Sequence, residues 1–311
     1  MPAGALMLEH TTRFRLVHVS DLHFWRYALS PLQLFGKRLL GVGSLLVRRA
    51  RKFRLERAEQ IVGRVLDLNP DHILITGDLT TTALAAEFRL ARRVLEPWLR
   101  NSEKITVIPG NHDRYTLGAQ RDRRFEQYFG EFLPADSFPW LRFLDARTAI
   151  LGLDPTRASL TARGKLPDAQ LARAKELIVT FGTQIKRLIV ACHYPLDAPP
   201  PHRRDLAKKN LIDPQPLSRW LAEIGPHLYC CGHVHAAWAF APAEIPNQLC
   251  LNSGAPLLRD STGHRPPGFL EVILEASDVI VNHHSWRHES WQTTVLYRGP
   301  SFFRQPSWSL A

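Results

Sequence analysis

Five short apolar runs, each closing on a polar block, constrain this chain more than any other feature. Phe14-Arg15-Leu16-Val17-His18-Val19 leads into Asp21-Leu22-His23, and Ile73-Leu74-Ile75 into Gly77-Asp78. Ile105-Thr106-Val107-Ile108 leads into Gly110-Asn111-His112-Asp113, Leu188-Ile189-Val190-Ala191 into His193, and Leu228-Tyr229-Cys230-Cys231 into Gly232-His233-Val234-His235. Short β-branched and apolar runs read as buried strands. Between them lie segments with helical periodicity, such as Leu55–Leu68 and Leu166–Phe181. Strands alternating with helices predict an α/β fold with a largely parallel sheet, whose polar site collects at the strand ends.

The polar blocks carry metal-ligand chemistry. Asp21, His23, Asp78, Asn111, His193, His233 and His235 are oxygen and imidazole donors with no required thiolate. That set suits two divalent ions, manganese first, with iron, zinc, nickel or cobalt as alternatives. Side chains two apart on extended backbone point the same way, so Asp21 and His23 can face one centre and His233 and His235 can straddle two. Asp78 has two oxygens and can bridge. A pair of ions roughly 3.5–4 Å apart polarises a phosphoryl group and lowers the pKa of water between them.

In this order the blocks "SDLH", "TGDL", "PGNHD", "CHYP" and "CGHVH" resemble those of the calcineurin-like metallophosphoesterases. One block alone is a weak signal, and five in register are a strong one. The likeness spans about residues 14–275 and includes "GKLPDAQLARAKELI" and "LNSGAPLLRD". It implies a four-layer αββα sandwich of two mixed sheets flanked by helices, forming a single domain over residues 1–311. It also implies that Asp21, His23, Asp78 and His235 hold one ion, and Asp78, Asn111, His193 and His233 the other. His112 would be the catalytic histidine, oriented by Asp113.

Lys and Arg exceed Asp and Glu by 40 − 29 = 11, which favours anionic substrates or surfaces. Cys192, Cys230, Cys231 and Cys250 all lie in apolar runs and read as reduced core residues of a cytoplasmic protein. The first twelve residues lack the pattern of a signal peptide, and no run reaches the roughly 18 apolar residues of a membrane-spanning helix.

Residues 24–55 stand apart as an insertion beside the site. Leu32, Phe35, Leu39, Val42 and Leu46 recur at helical spacing amid eight Lys and Arg residues between Lys37 and Arg57. Such a stripe can cover an acyl chain or lie on an anionic membrane, with Leu39 and Leu46 as its apolar contacts. The plain alternative is a helical hairpin packed on the sheet with its arginines in water. Arg114 and Tyr115, beside the third block, and Arg203 and Arg204, in the proline-rich loop Pro195–Asn210, are candidate substrate contacts. The prolines in that loop argue against helix. His283, His284 and His288 near the C-terminus read as packing residues more readily than as a third metal site.

Together these features predict a hydrolase of phosphodiester or pyrophosphate bonds. The insertion favours an amphiphilic, lipid-linked nucleotide. The resemblance points to the branch acting on UDP-2,3-diacylglucosamine in lipid A synthesis, with peripheral attachment to the inner membrane face. The alternative is a soluble 3′,5′-cyclic-nucleotide phosphodiesterase. Further alternatives are a nuclease, which no DNA-binding or dimerisation appendage supports, and a non-catalytic scaffold, which the intact ligand set opposes. Nothing in the sequence calls for an obligate protein partner.

Overall fold

The structure is a computed structural model, and it describes residues 13–26, 52–159, 161–260, 262–275 and 278–300. Two six-stranded mixed sheets lie face to face. The first sheet has the order β12-β11-β10-β1-β2-β3. Its strands are β1 (Phe14–Val19), β2 (His72–Ile75), β3 (Ile105–Val107), β10 (Gly268–Leu274), β11 (Asp278–Arg287) and β12 (Ser290–Pro300). β1, β2 and β3 run parallel, and β10 closes on β1 antiparallel, with Leu16 opposite both Val272 and His72. The second sheet has the order β4-β5-β6-β7-β9-β8. Its strands are β4 (Trp140–Phe143), β5 (Thr148–Gly152), β6 (Arg187–Ala191), β7 (His227–Cys231), β8 (Ala237–Phe240) and β9 (Gln248–Ser253). β5, β6, β7 and β9 are parallel, with antiparallel β4 and β8 at the edges.

Alternation along each strand sorts side chains into layers. On β1, Leu16 joins the core between the sheets while Val17 and Val19 face the helices outside. The inner layer joins Leu16, Leu74 and Val272 of one sheet to Ile150, Ile189 and Leu228 of the other. Outside the first sheet pack α1 (Ala58–Asp67), α2 (Ala85–Leu99) and α4 (Arg124–Phe129), through Ile61, Val65, Phe88, Leu95 and Phe125. Outside the second pack α5 (Asp168–Phe181) and α7 (Gln215–Glu223), through Leu171, Ile178, Leu217 and Trp220. The expected αββα layering is therefore the observed one. All four cysteines are free and buried.

Residues 117–129 form two helices, α3 (Leu117–Arg121) and α4, because Arg123 takes a left-handed φ of 47° between them. One expectation about helices fails. The proline-rich loop contains α6 (Pro200–Ala207). Its prolines sit at the N-cap and in the first turn, where a missing N–H costs no helical hydrogen bond.

The insertion's apolar stripe, including Leu39 and Leu46, lies outside the described residues. Both of its flanks are fixed. Phe24 forms a parallel bridge to Thr80, and Phe53 an antiparallel bridge to Leu258. Lys52 O accepts from Arg259 N, and Arg54 N donates to Leu257 O, both at 2.7 Å. Among the described residues, no helix is long and apolar enough to cross a membrane.

Candidate metal centre and active site

The carboxyl ends of β1, β2 and β3 meet those of β6 and β7 at one edge of the sandwich. Close approach there depends on glycine. Gly77, at φ 95°, lies against the backbone of Gly110, and a Cβ on it would strike Pro109 and Gly110. A Cβ on Gly232 would strike Ser20 and the Asp21 carboxylate. Gly110 and Gly232 do not have positive φ, and they serve close contact between neighbouring segments.

The ligands themselves carry the unusual backbone. Asp21 (54°), His23 (48°), Asp78 (53°), His233 (72°) and His235 (61°) all have left-handed φ. Each such non-glycine residue costs about 1–2 kcal/mol, and strain of this kind gathers at functional sites.

Two donor groups result, each with ligating atoms within 4.8 Å of one another: Asp21, His23, Asp78 and His235, and Asp78, His193 and His233. Asp78 belongs to both. In the first group, His23 Nε2 and His235 Nε2 are 3.0 Å apart. Asp21 Oδ1 lies 3.2 Å from His235 Nε2 and 3.6 Å from His23 Nε2, while Asp78 Oδ2 is 3.6 Å from His23. In the second, His193 Nε2 is 3.2 Å from Asn111 Oδ1, 3.2 Å from His233 Nδ1 and 3.4 Å from Asp78 Oδ2.

Hydrogen bonds behind the rings set the tautomers. His193 Nδ1–H donates to Thr76 O at 2.7 Å, and His233 Nε2–H donates to Lys209 O at 3.1 Å. The inward nitrogens, His193 Nε2 and His233 Nδ1, are therefore lone-pair atoms in the neutral rings. Backing of this kind fixes metal-binding imidazoles. Acceptors converging on buried space without a donor leave their charge uncompensated. Asp21 Oδ1 is buried with no hydrogen-bond partner. Divalent cations satisfy such a set, and the residues present fit a dinuclear centre.

The electrostatics agree with a site built for cations. Burial would raise the Asp78 carboxyl, yet His193, His112 and His23 hold it well below the usual carboxylate range. Burial opposes Asp21's ionisation as well, and His235 and His23 outweigh it. Burial, with a contribution from His193, lowers His233 to about 3, and burial lowers His235 to about 4. His193 goes the other way: Asp78 overcomes its burial and raises it to about 9. Without a metal, Asp78 draws a proton onto His193, and a cation would occupy that proton's place.

His112 stands over the first group, its ring 4.9 Å from that of His23. Its Nδ1–H donates to Thr81 O at 2.8 Å, which leaves Nε2 toward the cavity, where a second proton sits only in the imidazolium form. Tyr115 stacks on the ring at 5.5 Å and 13°, and at 8% exposure it braces His112 from behind.

The expected role of Asp113 as the group orienting His112 is not what the structure shows. Its carboxylate accepts from Gly110 N (2.9 Å), Leu79 N (3.2 Å), Thr80 N and Thr80 Oγ1, and so ties the β2 and β3 loops together. Thr81 O orients the ring instead. Arg114 is likewise diverted from substrate. It is 7% exposed, and its guanidinium is held by Glu126 (2.6 Å) and Asp154 (3.0 Å). Arg203, on α6, donates to Ala198 O and pairs with Asp197 at 3.3 Å, and neither it nor Arg204 lines the cavity over the metal groups. His284 pairs with Glu271 at 3.2 Å on the far side of the first sheet, where Arg15 and Asn282 share the same carboxylate.

The cavity over the donors has a volume of about 190 Å³. His23, Asp78, Asn111, His112, His233 and His235 line it, joined by Lys52, Phe53, Ala162 and Lys209. Phe53 packs on His23 at 4.5 Å and edge-on to His235 at 5.8 Å. Tyr194 packs on His233 at 4.5 Å. Lys52 and Phe53 carry no motif in the sequence. They reach the site through pairing of residues 52–54 with 257–259.

The calcineurin-like phosphoesterase family model matches residues 14–237, from the first strand to just beyond the last ligand. The chain belongs to that family. Its fold is shared with the purple acid phosphatase PPD1 from yellow lupin (Lupinus luteus) seeds, at 12% identity and TM-score 0.58, covering 91% of this chain and 53% of that one. This chain thus spans about half the length of the lupin protein. PhoD matches at 8% identity and TM-score 0.58, over 91% and 68% of the two chains. GAP50, the anchor in the inner membrane complex of Plasmodium, matches at 10% identity and TM-score 0.51, over 95% and 90%. A search of curated protein sequences finds no match.

Proposed function

We propose that this phosphoesterase hydrolyses a phosphodiester or pyrophosphate bond at a dinuclear metal centre held by Asp21, His23, Asp78, Asn111, His193, His233 and His235. The observation that carries the reading is the pair of donor groups sharing Asp78 beneath a cavity that His112 also faces. When bound, two divalent ions, manganese first among them, supply Lewis acidity toward a phosphoryl oxygen and toward water.

The chain's own residues do the rest. Asp78 and Asn111 hold the space between the donor groups, and the backbone amide of His112 fixes Asp78 through a 2.7 Å bond to Oδ1. Water's oxygen bonds to phosphorus and its proton passes to solvent, the ester or anhydride P–O bond breaks, and the leaving oxygen takes a proton. As the imidazolium, His112 is placed to give that proton from Nε2, with Thr81 O holding the ring through Nδ1–H.

The finer reading is an amphiphilic, lipid-linked nucleotide such as UDP-2,3-diacylglucosamine, met by a protein working at the anionic inner face of a membrane. Its support is the basic, apolar composition of residues 24–55 together with the flanks of that segment, which meet the fold at Phe24 and Phe53 beside the metal ligands. The test is parallel turnover of manganese-loaded protein on UDP-2,3-diacylglucosamine in micelles, 3′,5′-cyclic AMP and bis-p-nitrophenyl phosphate. We expect kcat/KM to be highest on the lipid nucleotide. Preference for the cyclic nucleotide would sink the lipid reading, and no turnover of any substrate would sink the hydrolase reading with it.

A further inference from the structure

The group that orients His112 is a peptide, and that peptide has a second partner. Thr81 O accepts from His112 Nδ1–H at 2.8 Å. The same peptide unit carries the Thr82 N–H. The Thr81–Thr82 peptide is trans, so its C=O and N–H point in opposite directions. The Thr82 N–H donates to Glu87 Oε2 at 2.9 Å. Carboxylate, peptide and imidazole therefore form one chain of hydrogen bonds that ends at His112.

Glu87 is the third residue of α2 and is buried. A glutamate at that position ordinarily caps its own helix, and Glu87 does so by accepting from Leu84 N at 3.1 Å. Its other bonds go beyond a cap. The Thr82 hydroxyl donates to the carboxylate at 3.1 Å, and the backbone amide of Arg26, three residues past the ligand His23, donates to it as well. Further bonds locate Thr81 itself: its N–H donates to Phe24 O and its hydroxyl to His23 O, each at 3.1 Å. Those bonds fix the residue, and the tilt of the peptide plane that follows it aims the carbonyl at His112. A carboxylate on one edge of that plane sets the tilt. It also strengthens the bond at the other edge, because hydrogen-bonded groups in a chain polarise one another.

Resting on the hydrolase reading above, in which His112 is the proton donor, we infer that Glu87 is a positioning residue for the reaction, holding the His112 ring through the Thr81–Thr82 peptide. It takes the place expected of Asp113, at one peptide's remove. Its partners Arg26, Thr82 and Leu84 lie outside the ligand set, so its loss leaves both ions in place. The arrangement holds whatever organic groups the phosphate carries.

The test compares wild type with Glu87→Met, which keeps the volume and removes the acceptor, Glu87→Gln, which keeps an acceptor, His112→Ala, and the Glu87→Met/His112→Ala double variant. In zinc-loaded protein with ¹⁵N-labelled histidine, NMR follows exchange of the His112 Nδ1–H with water, the signal being assigned by its absence from His112→Ala. Exchange should quicken about tenfold in Glu87→Met and by less in Glu87→Gln. Turnover of manganese-loaded protein is followed on thymidine 5′-(p-nitrophenyl) phosphate and thymidine 5′-phenyl phosphate, which differ in how much the leaving oxygen needs a proton. Glu87→Met should lower kcat about tenfold more on the phenyl ester, with KM and metal content unchanged. It should cost nothing further in the His112→Ala background. A His112 Nδ1–H signal absent from wild type, or exchange unchanged in Glu87→Met, overturns the inference. So does an equal loss on both esters, a loss of metal, or an effect of Glu87→Met that persists undiminished without His112. If the methionine variant does not fold, Glu87→Gln carries the same readouts, and wild-type behaviour in both overturns the inference. Turnover by wild type together with unchanged exchange in the variants sinks this inference alone, whereas no turnover of any substrate sinks the hydrolase reading and this inference with it.

Discussion

Buried histidines occur in two settings in this protein, and the contrast shows what makes a ligand. His18 and His72 lie within β1 and β2, with their Nε2 atoms 2.8 Å from the hydroxyls of Thr76 and Thr106. His227, in β7, donates Nδ1–H to Gly225 O and faces Gln248. Each of these rings has a polar neighbour at hydrogen-bond distance, and burial lowers its pKa. His23, His193, His233 and His235 are just as buried, but they lie past the strand ends and their inward nitrogens meet each other and the carboxylates. Residue type and burial are the same in both settings. Position relative to the strand end decides whether a ring is part of the packing or part of the chemistry.

The sharpest test exchanges one histidine from each setting. His193→Ala should release one ion per chain, measured by metal analysis, and cut turnover by roughly 10²-fold or more. His72→Ala should do the reverse. It strips Thr106 of its partner and opens a cavity between strands, costing about 2–4 kcal/mol in urea unfolding with both ions retained. If His72→Ala loses metal, the division between the two classes breaks down.

His112 belongs to neither class in the proposed reaction, which uses its proton and not a lone pair. His112→Ala should lower kcat by about 10²–10⁴-fold with metal content at the wild-type level. Loss of an ion instead would move His112 into the ligand set.

The smallest effect is a pH dependence of stability. Burial, helped by Arg142, lowers His72 to about 3, against 6.5 in an open chain. The neutral ring therefore contributes stability above pH 6.5 that is lost as pH falls toward 3. Between pH 7 and 4.5, wild type should lose about 2–3 kcal/mol more than His72→Gln in parallel urea titrations. The other histidines titrate in both proteins and cancel in the difference. Equal losses would show that the His72 ring titrates as if exposed.

Much of this site is legible in the sequence because its ligands are tethered to strands. An apolar run fixes where the chain turns, and Asp21, Asp78, Asn111, His193 and His233 follow two to four residues after their strands end. The four layers came from the resemblance of the five blocks to a family, while helical periodicity marked the buried face of α1. What the sequence hides is contact between distant segments. Phe53 and Lys52 join the site because residues 52–54 pair with 257–259, some two hundred positions away. The role of Asp113 is hidden for a different reason. Its neighbour His112 invites a pairing, yet backbone amides of the β2 loop lie nearer to its carboxylate. Arg114 beside a catalytic motif looks like a substrate contact until Glu126 and Asp154 come into reach through tertiary folding. The insertion's apolar stripe lies outside the described residues.

The bridges Phe24–Thr80 and Phe53–Leu258 have an engineering consequence. They fasten the chain on either side of residues 27–51 before and after it leaves the metal ligands, so the segment between is attached like a cartridge in a fixed socket. Its length and composition can be exchanged with no change to the residues that clamp it. Variants that carry a different cartridge, grafted between Arg26 and Lys52, would test whether this segment affects the choice of phosphate ester while the clamping residues stay the same.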